Sequence, residues 1–186
     1  ISQSVVDSLP YTNGAMYTAA KITTVDEPAC ALVSGFHHAM YHGWKGYGWF
    51  CTFNGLMITA AKLLAEGMRK ICIIDADMHW GNGTDNILML KPELNIDHLT
   101  LGLLFEDASK SKEYLKYFDD GGVVDNMLYL KPDLIIYQAG ADVHVVLCGA
   151  RASARRLGAL GEAGDAVSAI HHRADLPWAL HRLARG

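Results

Sequence analysis

Ile71-Cys72-Ile73-Ile74-Asp75-Ala76-Asp77-Met78-His79-Trp80-Gly81-Asn82-Gly83-Thr84 is the stretch on which the fold turns. Its first four residues are apolar and three of them β-branched, the pattern of a buried strand. The run stops abruptly in two carboxylates, an imidazole and a Gly-Asn-Gly turn. In open α/β sheets, ligands bind in the crevice at the carboxyl ends of the strands. On an extended chain Asp77 and His79 point to one side, with Asp75 on that side one step deeper. An oxygen and a nitrogen donor converging from one strand end suit a borderline cation such as zinc. The same residues have a plain structural use: Asp75 and Asp77 can cap the following turn, with His79 an ordinary satisfied polar residue. Taken alone, the pattern leaves both readings open.

Working upstream, Asn54 to Met68 carries Leu56, Ala60, Leu63, Leu64 and Met68 at helical spacing and closes near Gly67. Arg69-Lys70 joins this helix to the central strand, giving a βαβ unit. Ala29 to Val33 reads as a shorter strand running into Ser34-Gly35-Phe36-His37-His38-Ala39. Adjacent histidines at a strand end are uncommon, although surface pairs do arise by chance. Gly43 to Phe50 is a glycine- and aromatic-rich loop. Such a loop either lines a narrow apolar channel or folds back on its own side chains. At the start, Ala15, Ala19 and Ala20 predict a helix within Ile1 to Lys21, preceded by the turn signal Tyr11-Thr12-Asn13-Gly14.

Downstream, a helix is expected from after Thr84 to about Leu90, closed by Lys91-Pro92, then a strand over His98 to Leu104. The charged run Glu106 to Lys116 reads as a solvated helix face, and Val123 to Leu130 as a further helix. Lys131-Pro132 then leads into Asp133-Leu134-Ile135-Ile136-Tyr137-Gln138-Ala139-Gly140-Ala141-Asp142. This is again a buried strand ending in glycine and an acid. A third ligand from a neighbouring strand end would complete a three-ligand site with a position open for water, as catalytic zinc requires.

With 186 residues and 51% hydrophobic content, the chain suffices for one packed domain. A net charge of -4 argues against nucleic acid or an anionic membrane as the main partner. Its longest apolar runs are strand-sized, and no charged leader precedes an apolar segment. Cys30, Cys51, Cys72 and Cys148 lack any Cys-x-x-Cys spacing and read as reduced, mostly buried thiols of a cytoplasmic protein. Because the chain opens on Ile1 and not on Met, a native N-terminus further upstream is expected.

Four motifs in register resemble the zinc-dependent histone deacetylase family, with its acetylpolyamine amidohydrolases and acetoin-utilisation proteins. They are Gly35 to Ala39, Gly48 to Asn54, Asp75 to Thr84 and Ala139 to Asp142, and the similarity covers about Ser4 to Val145. The resemblance implies a three-layer arginase/deacetylase-type α/β fold, a parallel sheet with flanking helices, incomplete here at both ends. It implies that Asp77, His79 and Asp142 bind Zn2+, and that His37 and His38 flank the water. Asp75 would hold His37, and Asn82 would hold His38. An acid partner favours the imidazolium whereas an amide only orients the ring. On that basis His38 is the proton shuttle and His37 the electrostatic partner. Gly48 and Phe50 match the wall that grips the acyl-lysine stem, with Trp49 an extra residue in that motif. A structural potassium ion, K+, held by backbone oxygens around Asp75, Asp77 and His79, also belongs to the family pattern.

The chain departs from that pattern after Val145. The family supplies a second oxyanion donor from a tyrosine in a downstream glycine-rich loop, and here no tyrosine follows Tyr137. The basic residues also change from nearly all lysine to all arginine: Arg151, Arg155, Arg156, Arg173, Arg182 and Arg185. Residues 1–145 are therefore read as a deacetylase-like core, and 146–186 as a divergent Ala/Arg/Gly-rich tail, a frame-shifted or otherwise non-native reading of a GC-rich gene. His171-His172 is then a coincidence. The structural alternative for the tail is an amphipathic helix over Ala152 to Ala169.

Two functional classes follow. One is an amide hydrolase acting on acetyl-lysine, an acetylated polyamine or a small acetylated amine. The other is a metal-binding fragment that is catalytically impaired. Arginase-type ureohydrolases use paired metals with extra carboxylates near the Asp-x-His signature, and the matching position here is Gly81.

Overall fold

The computed structural model describes residues 2–41, 51–105, 110–140 and 167–172. Within them the strands β1 (Ala29–Leu32), β2 (Ile71–Asp75), β3 (Ile96–Thr100), β4 (Leu134–Ala139) and β5 (Val167–His172) form one sheet ordered β1-β5-β4-β2-β3. β2 pairs in parallel with β3 and with β4. β5 is antiparallel to both β4 and β1. The other four strands therefore share one direction, and β5 alone opposes them.

β2 lies inside the sheet between β4 and β3, and all five of its residues are buried. A strand covered on both faces is apolar throughout. Ile71 and Ile73 join the core formed with Met16 of α1 (Gln3–Ile22) and Leu56, Ala60 and Leu63 of α2 (Gly55–Ala65). Cys72 and Ile74 point the other way, into the core with Val123 and Met127 of α6 (Gly122–Leu130). Helices thus cover both sheet faces. The polar end of β2, Asp75, comes out at the carboxyl edge of three parallel strands.

Several expectations need correction. α1 runs straight through Tyr11-Thr12-Asn13-Gly14, with Pro10 inside it. The buried stripe Leu9, Met16, Ala19 and Ala20 outweighs the turn residues, and a side chain at Gly14 would meet only open space. The third strand is Ile96–Thr100 and not His98 to Leu104. Residues Leu101–Leu104 form a helical turn, α4, because Gly102 tucks against the backbone of His79 and Trp80. α3 (Asn82–Leu90) begins two residues before Thr84. Val167 to Ala169, the end of the alternative tail helix, are strand. Of the described cysteines only Cys72 is buried, and all three are unpaired. The charged run continues as the helix α5 (Ser111–Asp119). No described helix is long and apolar enough to cross a membrane.

Candidate catalytic and metal site

The chain leaves β1 through Phe36, whose φ of 57° lies in the left-handed region. For a bulky residue that conformation costs about 1–2 kcal/mol. The cost is met by one local and one tertiary bond: Ala39 N–H donates to the Phe36 carbonyl at 2.9 Å, closing the turn, and Thr84 N–H donates to the His37 carbonyl at 3.1 Å. Gly83 lies so close to this backbone that an added Cβ would stand 2.6 Å from the His37 carbonyl oxygen. The first turn of α3 therefore clamps the tandem histidines.

His37 is buried, and its Nδ1–H donates to Asp75 Oδ2 at 2.6 Å. His38 Nδ1–H donates to Asn82 Oδ1 at 2.7 Å. The two rings lie 4.0 Å apart between centroids. Burial works against the charged form of His37, but the bond to Asp75 prevails and raises its pKa. Burial and the neighbouring His37 lower the pKa of His38. Burial would push Asp75 up, yet the bond from His37 and the nearby His98 hold its carboxyl down at about 2.

Asp77 and His79 come together by a route other than strand alternation. β2 ends at Asp75, and Asp77 Oδ1 accepts the backbone N–H of His79 at 2.7 Å, an Asx-type turn. This turn brings His79 Nδ1 to 3.0 Å from Asp77 Oδ1, with His37 Nε2 3.8 Å from the same oxygen. Two donors on one tetrahedral zinc at about 2.0–2.1 Å stand roughly 3.3 Å apart. A carboxylate and an imidazole at 3.0 Å fit that arrangement after a small adjustment. Among the described residues no group of three or more potential ligands is gathered. Asp142, the expected third ligand, lies outside the described residues, as do the expected channel residues Gly48 and Phe50. Gly140, two residues before Asp142, abuts Asp77: a Cβ there would meet Asp77 Oδ2 at 2.6 Å.

Of the further residues at the site, His98 and Tyr114 lie outside the four motifs, and Asn54 ends one of them. His98, on β3, has its Nδ1 2.7 Å from Asp85 Oδ1 and its Nε2 3.7 Å from Asp75 Oδ2. The first is a hydrogen bond and the second is within ion-pair reach only. Burial disfavours a charge on His98, but Asp75 and Asp85 together raise its pKa. Asn54, the N-cap of α2, donates to Thr84 Oγ1 at 3.0 Å and to the Ala39 carbonyl at 3.3 Å. Tyr114 O–H donates to the Ala76 carbonyl at 2.7 Å. Asp97 and Thr100 on β3 are polar as well, so nothing in the sequence singled out His98. Its partners are set by strand register, which no local pattern reveals.

A mixed α/β protein with acids and paired imidazoles gathered at the carboxyl edge of parallel strands is the class that fold and site define. A histone deacetylase domain model matches residues 1–98, more than half of the 186, and the chain belongs to that family of deacetylases and amidohydrolases. An uncharacterised protein of Picosynechococcus sp. is 30% identical over 131 residues, 63% of this chain and 42% of that one. Histone deacetylase 14, chloroplastic, of Arabidopsis thaliana is 29% identical over 154 residues, 69% of this chain and 36% of its own length. Acetylpolyamine amidohydrolase of Mycoplana ramosa is 43% identical over 51 residues, 27% of this chain and 14% of that protein. The chain thus spans less than half the length of these relatives.

Proposed function

We propose that the protein is a zinc-dependent amide hydrolase that removes acetyl groups from acetyl-lysine, an acetylated polyamine or a small acetylated amine. We further propose that its sheet belongs to the three-layer arginase/deacetylase type. The observation that carries this reading is the differential wiring of two adjacent imidazoles, one to a carboxylate and one to an amide, beside Asp77 and His79. The names of two relatives, a histone deacetylase and an acetylpolyamine amidohydrolase, support the substrate class.

Asp77 and His79, with Asp142, would hold the metal. Bound zinc would supply a Lewis acid for the acetyl carbonyl and bring the pKa of water to about 7. His38 carries its ring proton on Nδ1, facing Asn82, so Nε2 presents a lone pair to the water. Its lowered pKa keeps that lone pair free near neutrality. The same nitrogen then returns the proton to the leaving amine. His37, held by Asp75 and raised in pKa, keeps its proton and stabilises developing negative charge.

The alternative reading is metal binding without turnover. One experiment tests both readings: zinc titration by calorimetry, followed by a fluorogenic acetyl-lysine assay, on the chain and on His38→Ala. Zinc-dependent turnover that falls by roughly 10²–10⁴-fold in His38→Ala supports the hydrolase. Zinc binding without turnover selects the second reading, and failure to bind zinc overturns both.

A further inference from the structure

We propose that His98 is a positioning residue for this site, bridging Asp85 to Asp75 and so holding the carboxylate that orients His37. The four side chains form a line running from α3 to the tandem histidines. Asp85 Oδ1 meets His98 Nδ1 at 2.7 Å, His98 Nε2 faces Asp75 Oδ2 at 3.7 Å, and that same Oδ2 accepts from His37 at 2.6 Å. The role of His98 in catalysis rests on the hydrolase reading above; its effect on His37 does not.

Three observations carry the proposal. The first is burial, with the side chains of His98 and Asp75 only 1% and 0% exposed. A buried ionic cluster is a poor stabiliser, because well-packed apolar residues of similar volume usually serve as well or better. The second is register. Ile73 is paired with His98 and Asp75 with Thr100, so His98 is the diagonal neighbour of Asp75 on the adjoining strand, on the same sheet face. The third is Gly81. An added Cβ there would collide with Asp75 Oδ2 and come within 2.9 Å of His98 Cε1 and 3.1 Å of its Nε2. The chain is left without a side chain where the His98–Asp75 approach needs the room.

The far end of the line is also held. Trp80 Nε1–H donates to Asp85 Oδ2 at 2.5 Å, leaving the other oxygen for His98. Asp85 is 35% exposed, so it can be changed without opening the core. Asp85→Asn keeps the shape and an acceptor for His98 but removes the charge.

The readout is the His37 Nδ1–H proton, followed by NMR on the metal-free full chain, so that it depends on neither zinc nor turnover. In Asp85→Asn and in His98→Phe this resonance moves upfield and exchanges faster with water. His98→Gln, which keeps a donor toward Asp75, restores part of the shift. In an active preparation kcat falls about tenfold with KM unchanged, the scale on which partners behind a ligating or catalytic group act. An unchanged His37 resonance in folded Asp85→Asn overturns the proposal, even if His98→Phe fails to fold. A shifted resonance with no zinc binding leaves the positioning role standing while the hydrolase reading falls.

Discussion

Gly81 lies directly over the Asp75 carboxylate, so close that any Cβ at position 81 would run into Asp75 Oδ2. The position at which a paired-metal ureohydrolase would need a further carboxylate is thus closed to any side chain. Gly81→Ala is expected to lower stability by about 1–3 kcal/mol, the usual scale for overpacking a filled core. Thermal or urea denaturation checks this. A melting curve unchanged from the parent would show that Asp75 and His98 can move aside.

The wiring of the tandem histidines predicts opposite titration. Burial opposes protonation in both rings, but Asp75 reverses the balance at His37 while Asn82 does not at His38. Metal-free protein followed by imidazole NMR should show His37 titrating above, and His38 below, the ordinary value of about 6.5. Asp75→Asn should lower the His37 midpoint. Coincident midpoints in the parent would remove the division between shuttle and electrostatic partner.

Stability should depend on pH at both ends. Asp75 and Asp85 are held below their ordinary range despite burial, so their contribution is present above about pH 4. It is lost as the pH falls toward 2. His98 is raised, so its contribution is complete below about pH 6.5 and disappears as the pH climbs through its folded value. His37 acts in the same direction as His98, and His38 opposes them. Urea midpoints from pH 3 to 9 should therefore decline on both flanks, and His98→Gln should flatten the alkaline one. An alkaline flank as steep in that variant as in the parent would contradict the assignment.

Asn54 has no part in the chemistry, yet it ties three segments together. Its side chain caps α2 by accepting from Met57 N–H at 3.1 Å and donates to Thr84 and to the Ala39 carbonyl. Asn54→Ala removes a cap and leaves Thr84 Oγ1 without this partner in a buried setting. A loss of about 2–3 kcal/mol is expected, measurable by urea denaturation. A loss below about 0.5 kcal/mol would mean that water replaces the amide.

Metal affinity should rest on the Asx turn. Asp77→Asn preserves the acceptor for His79 N–H but removes the charge, and zinc affinity should fall at least tenfold in calorimetry. Equal affinity would place the metal elsewhere.

The chain by itself determined the elements that depend on local composition. The apolar run Ile71 to Ile74, the helix behind Asn54 and the strand before Gly140 all follow from burial pattern and turn chemistry. The motif residues His37, His38, Asp75, Asp77, His79 and Asn82 could likewise be named without coordinates. Tertiary structure alone decided where alternation stops and who meets whom. Asp77 and His79 converge through a turn, α1 overrides its own turn residues to bury a stripe, and His98 reaches Asp75 from the adjoining strand. The reason is physical: propensity and periodicity act over a few residues. The partner of a buried charge is chosen by strand register and by the space that glycines 81 and 83 leave open.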